Sequence, residues 1–138
     1  MLSIVIPAKN ERQNVKPLVN EIIAALKDVA TFEILYIDNG SEDDTYAEAT
    51  DMRIEKFTEL RPYQHSFYVV QSGAIRTSVS KATGDLTVTL DADGQNDPAD
   101  IPLLLTAALK RPKGSDFCVA GYRKPRKDTL KVFSVKNG

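Results

Sequence analysis

The sequence predicts an α/β fold, a mainly parallel sheet flanked by helices. Two observations predict it. Short apolar runs alternate with stretches of helical periodicity, the pattern of βαβ units. Clusters of Asp, Asn, Glu and Gly stand directly behind the apolar runs. In such sheets ligands bind beyond the carboxyl ends of the strands, so polar clusters that follow strands come to one edge.

The elements follow in order. Leu2-Ser3-Ile4-Val5-Ile6 reads as a first strand, ended by Pro7. Val15, Leu18, Val19, Ile22, Ile23 and Leu26 recur at helical spacing and place a helix over about residues 14–28, capped by Asn10 or Asn14. Phe32-Glu33-Ile34-Leu35-Tyr36-Ile37 is a second strand, ended by Asp38-Asn39-Gly40-Ser41. A short helix follows over about 43–50, and residues 52–70 suggest a strand near 52–57 and another near 66–70. The spacing predicts a helix over 72–82 with Ala74, Ile75, Val79 and Ala82 as its apolar side, ended by Gly84. Leu86-Thr87-Val88-Thr89-Leu90 is the next strand. Asp97-Pro98, a cap followed by proline, starts a helix that runs through Ile101, Leu104, Leu105 and Leu109. Residues 116–122 read as a final strand.

The 138 residues, 42% hydrophobic and 27% charged, suit one soluble domain with a real core. A net charge of −1 gives no global electrostatic basis for nucleic-acid binding. The single cysteine, Cys118, excludes an intramolecular disulfide and a Cys-based zinc site; within its apolar run it is expected to be a buried core thiol. His65, the single histidine, lies in a Tyr/Gln/Ser-rich stretch and is expected to be an ordinary loop residue. No segment reaches transmembrane length and no signal-peptide pattern precedes the first strand, which points to the cytoplasm. The basic stretch Arg123-Lys124-Pro125-Arg126-Lys127-Asp128 suits a solvated loop, a phosphate, or anionic lipid at a membrane surface. Neither a Gly-x-Gly-x-x-Gly fingerprint nor a Walker lysine loop is present, so dinucleotide and P-loop readings have no basis.

The most informative segment is Leu90-Asp91-Ala92-Asp93-Gly94-Gln95-Asn96-Asp97-Pro98. If the preceding strand continues, Asp91 and Asp93 point to the same side, with Ala92 opposite. Two carboxylates so close repel unless a cation sits beside them. Hard oxygen ligands suit Mg²⁺ or Mn²⁺, and Mg²⁺ takes one or two carboxylates together with phosphate oxygens and water. Asp-x-Asp before Gly is also a surface-turn sequence. An EF-hand register built on Gly94 fails on its first ligand, Thr89, and on Pro98 within the loop.

Taken with this motif, an ordered set of segments resembles the family 2 glycosyltransferases of the GT-A nucleotide-sugar-binding fold, and among them the polyprenyl-phosphate glycosyltransferases of the dolichyl-phosphate mannose synthase type. The set runs from Ser3-Ile4-Val5-Ile6-Pro7-Ala8-Lys9-Asn10-Glu11 through Ile37-Asp38-Asn39-Gly40-Ser41-Glu42-Asp43-Asp44-Thr45. It continues through Gln71-Ser72-Gly73-Ala74-Ile75-Arg76-Thr77 and Ala82-Thr83-Gly84-Asp85, and ends in Gly121-Tyr122-Arg123. The resemblance implies one nucleotide-sugar-binding domain over residues 1–138, apparently truncated on the C-terminal side, with the acceptor-binding part largely absent. It implies a metal-dependent, inverting transfer of a sugar from a UDP- or GDP-linked donor to an acceptor, a polyprenyl phosphate by analogy.

By the same resemblance, Pro7, Ala8 and Glu11 line the nucleotide, with Glu11 near the ribose. Asp38 accepts a hydrogen bond from the base and Asn39 sits beside it. Arg76 lies near the diphosphate. Asp91, Asp93 and Gln95 hold the metal, with Asp93 at the sugar diphosphate. Arg123 faces the donor phosphates or the acceptor phosphate, and Lys131 and Ser134 fall roughly at lipid-phosphate-binding positions. Lys9 and Asn14 are left with structural roles. The sequence departs from the family at Asn39, where a second acidic residue is usual. It departs again at Tyr68-Val69-Val70, where Asn-x-Gly is usual, and at Ser78, where a small glycine is usual. Two other classes remain as alternatives: a non-catalytic nucleotide-sugar-binding module, and a doubly wound signalling domain. The latter needs an acidic pair where this chain has Pro7-Ala8-Lys9.

Overall fold

A computed structural model describes residues 1–116, 118–122 and 129–131. The chain divides into two compact units, Met1–Ala99 and Asp100–Gly138. The first runs β1 (Leu2–Ala8), α1 (Arg12–Leu26), β2 (Phe32–Asn39), α2 (Thr45–Glu55), β3 (Leu60–His65), α3 (Gln71–Lys81) and β4 (Leu86–Thr89). Its strands pair in parallel in the order β3-β2-β1-β4. The second unit holds α4 (Ile101–Leu109) and an antiparallel pair, β5 (Ala120–Tyr122) with β6 (Thr129–Lys131).

The strand order sets the layers. The chain steps from β1 outward to β2 and β3, then returns past β1 to place β4 on the other side. Right-handed crossovers then put α1 and α2 on one face and α3 on the opposite one. On the α3 side, Val5, Leu35, Ile37 and Ala74 are fully buried against Tyr63, Val69 and Ala82. On the alternate positions Ile4, Ile6, Ile34 and Tyr36 are equally buried, as are Val15, Val19 and Ile22 of α1 and Met52 of α2. All eight residues of β2 are buried, as expected of a central strand covered on both faces.

Several sequence-based expectations change. Pro7 does not end β1; it pairs with Ile37 inside the ladder. Val5 turns its carbonyl toward β4, where it accepts the Leu90 N–H at 3.0 Å. Pro7, two residues on, faces the same way, but pairing to β4 has stopped at Thr89, so its missing donor is not needed. The expected strand near 52–57 is helix: Thr45, Ala49 and Met52 are buried at helical spacing, and α2 continues to Glu55. The expected strand near 66–70 is absent, and the true strand is Leu60–His65. Pro62 and its polar neighbours obscured it, although proline is tolerated on an edge strand.

The buried face of α3 is Ala74 and Ser78, while Val79 is 49% exposed. The Ser78 hydroxyl donates to the Ala74 carbonyl at 2.6 Å, so it packs as a small satisfied residue. The helix after Asp97 opens with a 3₁₀ turn, Pro98–Asp100, and Asp97 accepts the Ala99 N–H at 2.9 Å. Cys118 is exposed rather than buried: the strand begins only at Ala120, and Cys118 and Val119 lie before it.

At the amino ends of the strands, the α3–β4 connection is fastened by a buried carboxylate. Glu33 accepts the Ser3 hydroxyl at 2.7 Å, the Thr83 N–H at 2.7 Å and the Thr83 hydroxyl at 2.9 Å. Its other oxygen pairs with Arg61 at 2.8 Å. Burial alone would raise this carboxyl; the Thr83, Ser3 and Arg61 donors overcome it and draw it from 4.5 down to about 2. Gly84 donates to the Ser3 hydroxyl at 2.9 Å, and a Cβ there would lie 2.6 Å from the Met1 carbonyl.

Candidate functional site at the strand carboxyl ends

The strand order reverses between β1 and β4, and open α/β sheets bind ligands in the crevice outside the carboxyl ends at such a reversal. A cleft of about 270 Å³ lies there, lined by Pro7, Ala8, Lys9, Glu11, Asn39, Tyr68, Gln71, Asp91, Ala92 and Asp93. Its walls are the end of β1, the end of β2, the loop after β3 and the loop after β4.

The loops after β1 and β2 are knitted into one body. The helix cap position, Glu11, gives α1 no side-chain cap. Instead the β2–α2 loop takes the N–H groups at the helix start: Asn10 donates to Ser41 Oγ at 2.8 Å, Glu11 to Thr45 Oγ1 at 3.0 Å and Arg12 to Asp43 Oδ2 at 3.3 Å. Asn10, with φ of +55°, returns the favour through Oδ1, which accepts the Glu42 N–H at 2.8 Å. Asn10 is therefore a cross-loop brace, not the expected helix cap. Asn14 donates to Glu11 Oε2 at 2.7 Å, which aims that carboxylate. Burial would raise the Asp43 carboxyl, but the Thr45 hydroxyl and N–H, then the Arg12 backbone and charge, hold it below the usual range. Beneath this loop Tyr36 is fully buried; burial, then the carboxylates of Glu11, Asp38 and Asp43, keeps its phenol protonated.

The loop after β4 presents the acidic pair. The strand ends at Thr89, yet the alternation persists: Leu90 and Ala92 are buried, while Asp91 and Asp93 are exposed and line the same cleft. The turn is self-braced, with Asp91 N–H donating to Asn96 Oδ1 at 2.8 Å and Gln95 N–H to Asp93 Oδ1 at 3.0 Å. Among the described residues no group of three or more His, Cys, Asp and Glu side chains is arranged to hold a metal. Two carboxylates would be the protein's share of any cation site here, a donor set that fits a hard ion keeping water and phosphate oxygens, such as Mg²⁺ or Mn²⁺.

The loop 66–70 forms the remaining wall. Asn39, 4% exposed, donates through Nδ2 to the Val69 carbonyl at 2.6 Å and accepts the Val69 N–H on Oδ1 at 3.0 Å. His65 Nδ1 lies 3.3 Å from the same oxygen. Gly40, with φ of +72°, lets the loop come close: a Cβ there would sit 2.7 Å from the Tyr68 nitrogen. The Lys9 ammonium stands 4.3 Å over the Tyr68 ring.

Of the residues singled out in the sequence, Pro7, Ala8, Glu11, Asn39, Asp91 and Asp93 meet at the cleft. Asp38 does not form its wall. It is 1% exposed, with one oxygen accepting the Ser41 N–H at 3.1 Å and the other Gln64 Nε2 at 3.0 Å. Its place in the ladder turns it inward to brace the turn. Arg76 is an exposed residue of α3, and Gln95 sits in the acidic turn; neither lines the cleft. Arg123, the side chain of Lys131, Ser134 and the basic stretch 123–128 lie outside the described residues. The lining also includes Tyr68 and Gln71, which sequence reasoning did not single out, and Lys9, to which it gave a structural role. Lys9 follows a strand in the same cluster as Ala8 and Glu11, and that position was its available signal.

A parallel sheet with this reversal and polar loops at its crevice is an open α/β fold built to bind a ligand at the strand carboxyl ends. The chain belongs to glycosyl transferase family 2, whose family model matches residues 3–133. It is 36% identical over 130 residues to a dodecaprenyl-phosphate galacturonate synthase from Rhizobium johnstonii, covering 94% of this chain and 38% of that protein. It is 39% identical over 137 residues to an undecaprenyl-phosphate 4-deoxy-4-formamido-L-arabinose transferase from Sodalis glossinidius, covering 93% of this chain and 38% of that one. The chain thus spans well under half the length of these relatives. In fold it is similar to a mannosyltransferase from Pyrobaculum calidifontis solved with GDP-Man and Mn²⁺, with a TM-score of 0.71 at 20% identity over 91% of this chain and 36% of that one. Glucosyl-3-phosphoglycerate synthase from Mycobacterium tuberculosis, solved with Mn²⁺, UDP and glucosyl-3-phosphoglycerate, has a TM-score of 0.66 at 22% identity, over 87% of this chain and 42% of that one. These likenesses establish the GT-A fold.

Proposed function

We propose that this chain is the donor-binding part of a metal-dependent, inverting glycosyltransferase that moves a sugar from a nucleoside diphosphate to a polyprenyl phosphate. One observation carries the reading. Loops far apart in the sequence, at 7–11, at 39 and at 91–93, converge on one cleft at the reversal of the sheet. The acceptor class rests on the polyprenyl-phosphate transferases among the relatives.

In this reading Pro7, Ala8 and Glu11 flank the nucleoside, with Glu11 held by Asn14 toward the ribose hydroxyls. Asp38 acts from below, by fixing the turn that carries Asn39. Lys9, the cation on the cleft wall, takes the diphosphate role expected of Arg76. Asp91 and Asp93 hold a divalent cation, Mg²⁺ or Mn²⁺, beside the diphosphate, with Gln95 in the same turn. When bound, that ion supplies Lewis-acid neutralisation of the leaving diphosphate. An oxygen of the acceptor phosphate attacks the anomeric carbon from the face opposite the leaving group; its bond to the diphosphate breaks and the nucleoside diphosphate leaves with the electron pair, inverting that centre. A phosphate acceptor is already anionic, so the cleft needs no strong general base.

The same reading takes the site of action to be cytoplasmic, and a lipid-phosphate acceptor would bring the protein to a membrane surface, where the basic stretch 123–128 suits anionic lipid. Among the described residues no helix is long and apolar enough to cross a membrane. Calorimetry with UDP, GDP and their sugars, with and without Mn²⁺, tests donor binding. Formation of a lipid-linked sugar from a polyprenyl phosphate and a nucleotide sugar by the protein tests transfer. Binding without transfer would favour a nucleotide-sugar-binding module, and no binding of any nucleotide would end the reading.

A further inference from the structure

We infer that Asn39 is a positioning residue that acts on donor binding through the loop 66–70, by holding Tyr68 as a wall of the cleft. The inference rests on the nucleotide-binding reading above. The Asn39 amide meets the Val69 backbone on both sides, donating to its carbonyl at 2.6 Å and accepting its N–H at 3.0 Å. That is the two-bond exchange one strand makes with another, supplied here by a side chain. A carboxylate could accept the N–H, but it would also set an anionic oxygen against the Val69 carbonyl, with no proton between them.

Around this pair the loop is fastened at its far end, where the Val70 carbonyl accepts the Gly73 and Ala74 N–H groups at 2.8 and 3.2 Å, and not at Tyr68 itself. Phe67 is 70% exposed, Tyr68 54% and Val70 65%, so burial of their side chains does not hold them. Val69 is the inward residue, packed on the cluster of Val5, Leu35, Ile37 and Ala74. Gly40 gives the room, since any side chain there would collide with the backbone of Phe67 and Tyr68. Tyr68 is thereby presented to the cleft, with the Lys9 ammonium over its ring. Losing the Asn39–Val69 exchange frees Tyr68 and Lys9 together.

The test is a coupling cycle on the 138-residue chain. UDP and GDP, each with Mn²⁺, are titrated by calorimetry into wild type, Asn39→Asp, Asn39→Ala, Tyr68→Ala and the double variant Asn39→Asp/Tyr68→Ala. Asn39→Asp and Tyr68→Ala are each expected to weaken binding of the preferred nucleotide about ten-fold, and the double variant is expected to be no weaker than Tyr68→Ala alone. Hydrogen exchange is expected to speed up at 66–70 in both Asn39 variants while β1 and β2 stay protected. Wild-type affinity in Asn39→Asp, or losses that multiply in the double variant, would overturn the inference. So would loss of cooperative melting in both Asn39 variants, since Asn39 would then hold the fold and not the loop. If wild type itself binds neither nucleotide, the nucleotide reading fails first and this one falls with it.

Discussion

Glu33 gives the sharpest link between this sheet and a measurable stability. Its carboxylate is 5% exposed and accepts hydrogen bonds from Ser3 and Thr83 while pairing with Arg61. A carboxyl held at about 2 instead of 4.5 contributes about 3 kcal/mol to folding once it is ionised in both states. The folded value is the depressed one, so this contribution is present above 4.5 and is lost as pH falls toward about 2. Urea unfolding followed by far-UV circular dichroism, repeated across that range, reads it directly. Other carboxylates titrate there too, so the comparison is with Glu33→Gln. The variant is expected to be weaker near neutral pH by about 3 kcal/mol, with a flatter acid limb, and the two curves should converge near the bottom of the range. Parallel curves with a constant offset would refute the reasoning, because the loss would then come from packing and not from ionisation.

Further outcomes follow from the cleft. Asp93→Ala is expected to remove the Mn²⁺-dependent part of nucleotide-sugar binding, at least about ten-fold by calorimetry, and to lower the unfolding free energy by no more than about 1 kcal/mol, the worth of its exposed bond to the Gln95 N–H. Lys9→Met is expected to weaken UDP or GDP about ten-fold and the free nucleosides hardly at all, with a smaller salt dependence, since its charge would meet phosphate. Gly40→Ala is expected to lose about 1–3 kcal/mol in urea unfolding, because a side chain there combines a left-handed backbone with a collision at Tyr68.

What the sequence made legible is what period and punctuation encode. Val15, Leu18, Val19, Ile22, Ile23 and Leu26 predicted α1 from spacing alone, and all are buried except Ile23, which is half-buried. The parallel sheet, and the arrival of the loops after β1, β2 and β4 at one edge, followed from the alternation of elements. β3 was illegible because an edge strand tolerates proline and polar residues, and its burial is only partial. α3 was misphased because Ser78 satisfies its own hydroxyl within the helix and packs as a small residue. Tyr68 was passed over, and Lys9 given only a structural role, because what makes them neighbours is a contact across loops, which no local pattern records. The departures noted at Asn39 and at 68–70 looked independent in the sequence, yet in the fold they hydrogen bond to each other.

The knitted loops also explain why this sheet lacks a glycine-rich phosphate loop. In dinucleotide-binding relatives of the topology, a diphosphate sits on the free N–H groups at the first helix's amino end. Here three consecutive N–H groups at that end, of Asn10, Glu11 and Arg12, already donate to Ser41, Thr45 and Asp43. Glu11 and Asp43 add negative charge at the same place, which would repel a phosphate. On the proposed reading, a diphosphate in this crevice would instead meet Lys9 and a cation held by Asp91 and Asp93, on the other side of the reversal. On that argument Thr45→Val, which frees the Glu11 N–H, lowers stability by about 1 kcal/mol without creating Mn²⁺-independent nucleotide binding, because the carboxylates remain. Tight binding of UDP or GDP by that variant in the presence of a chelator would show that the helix start had been the phosphate site all along.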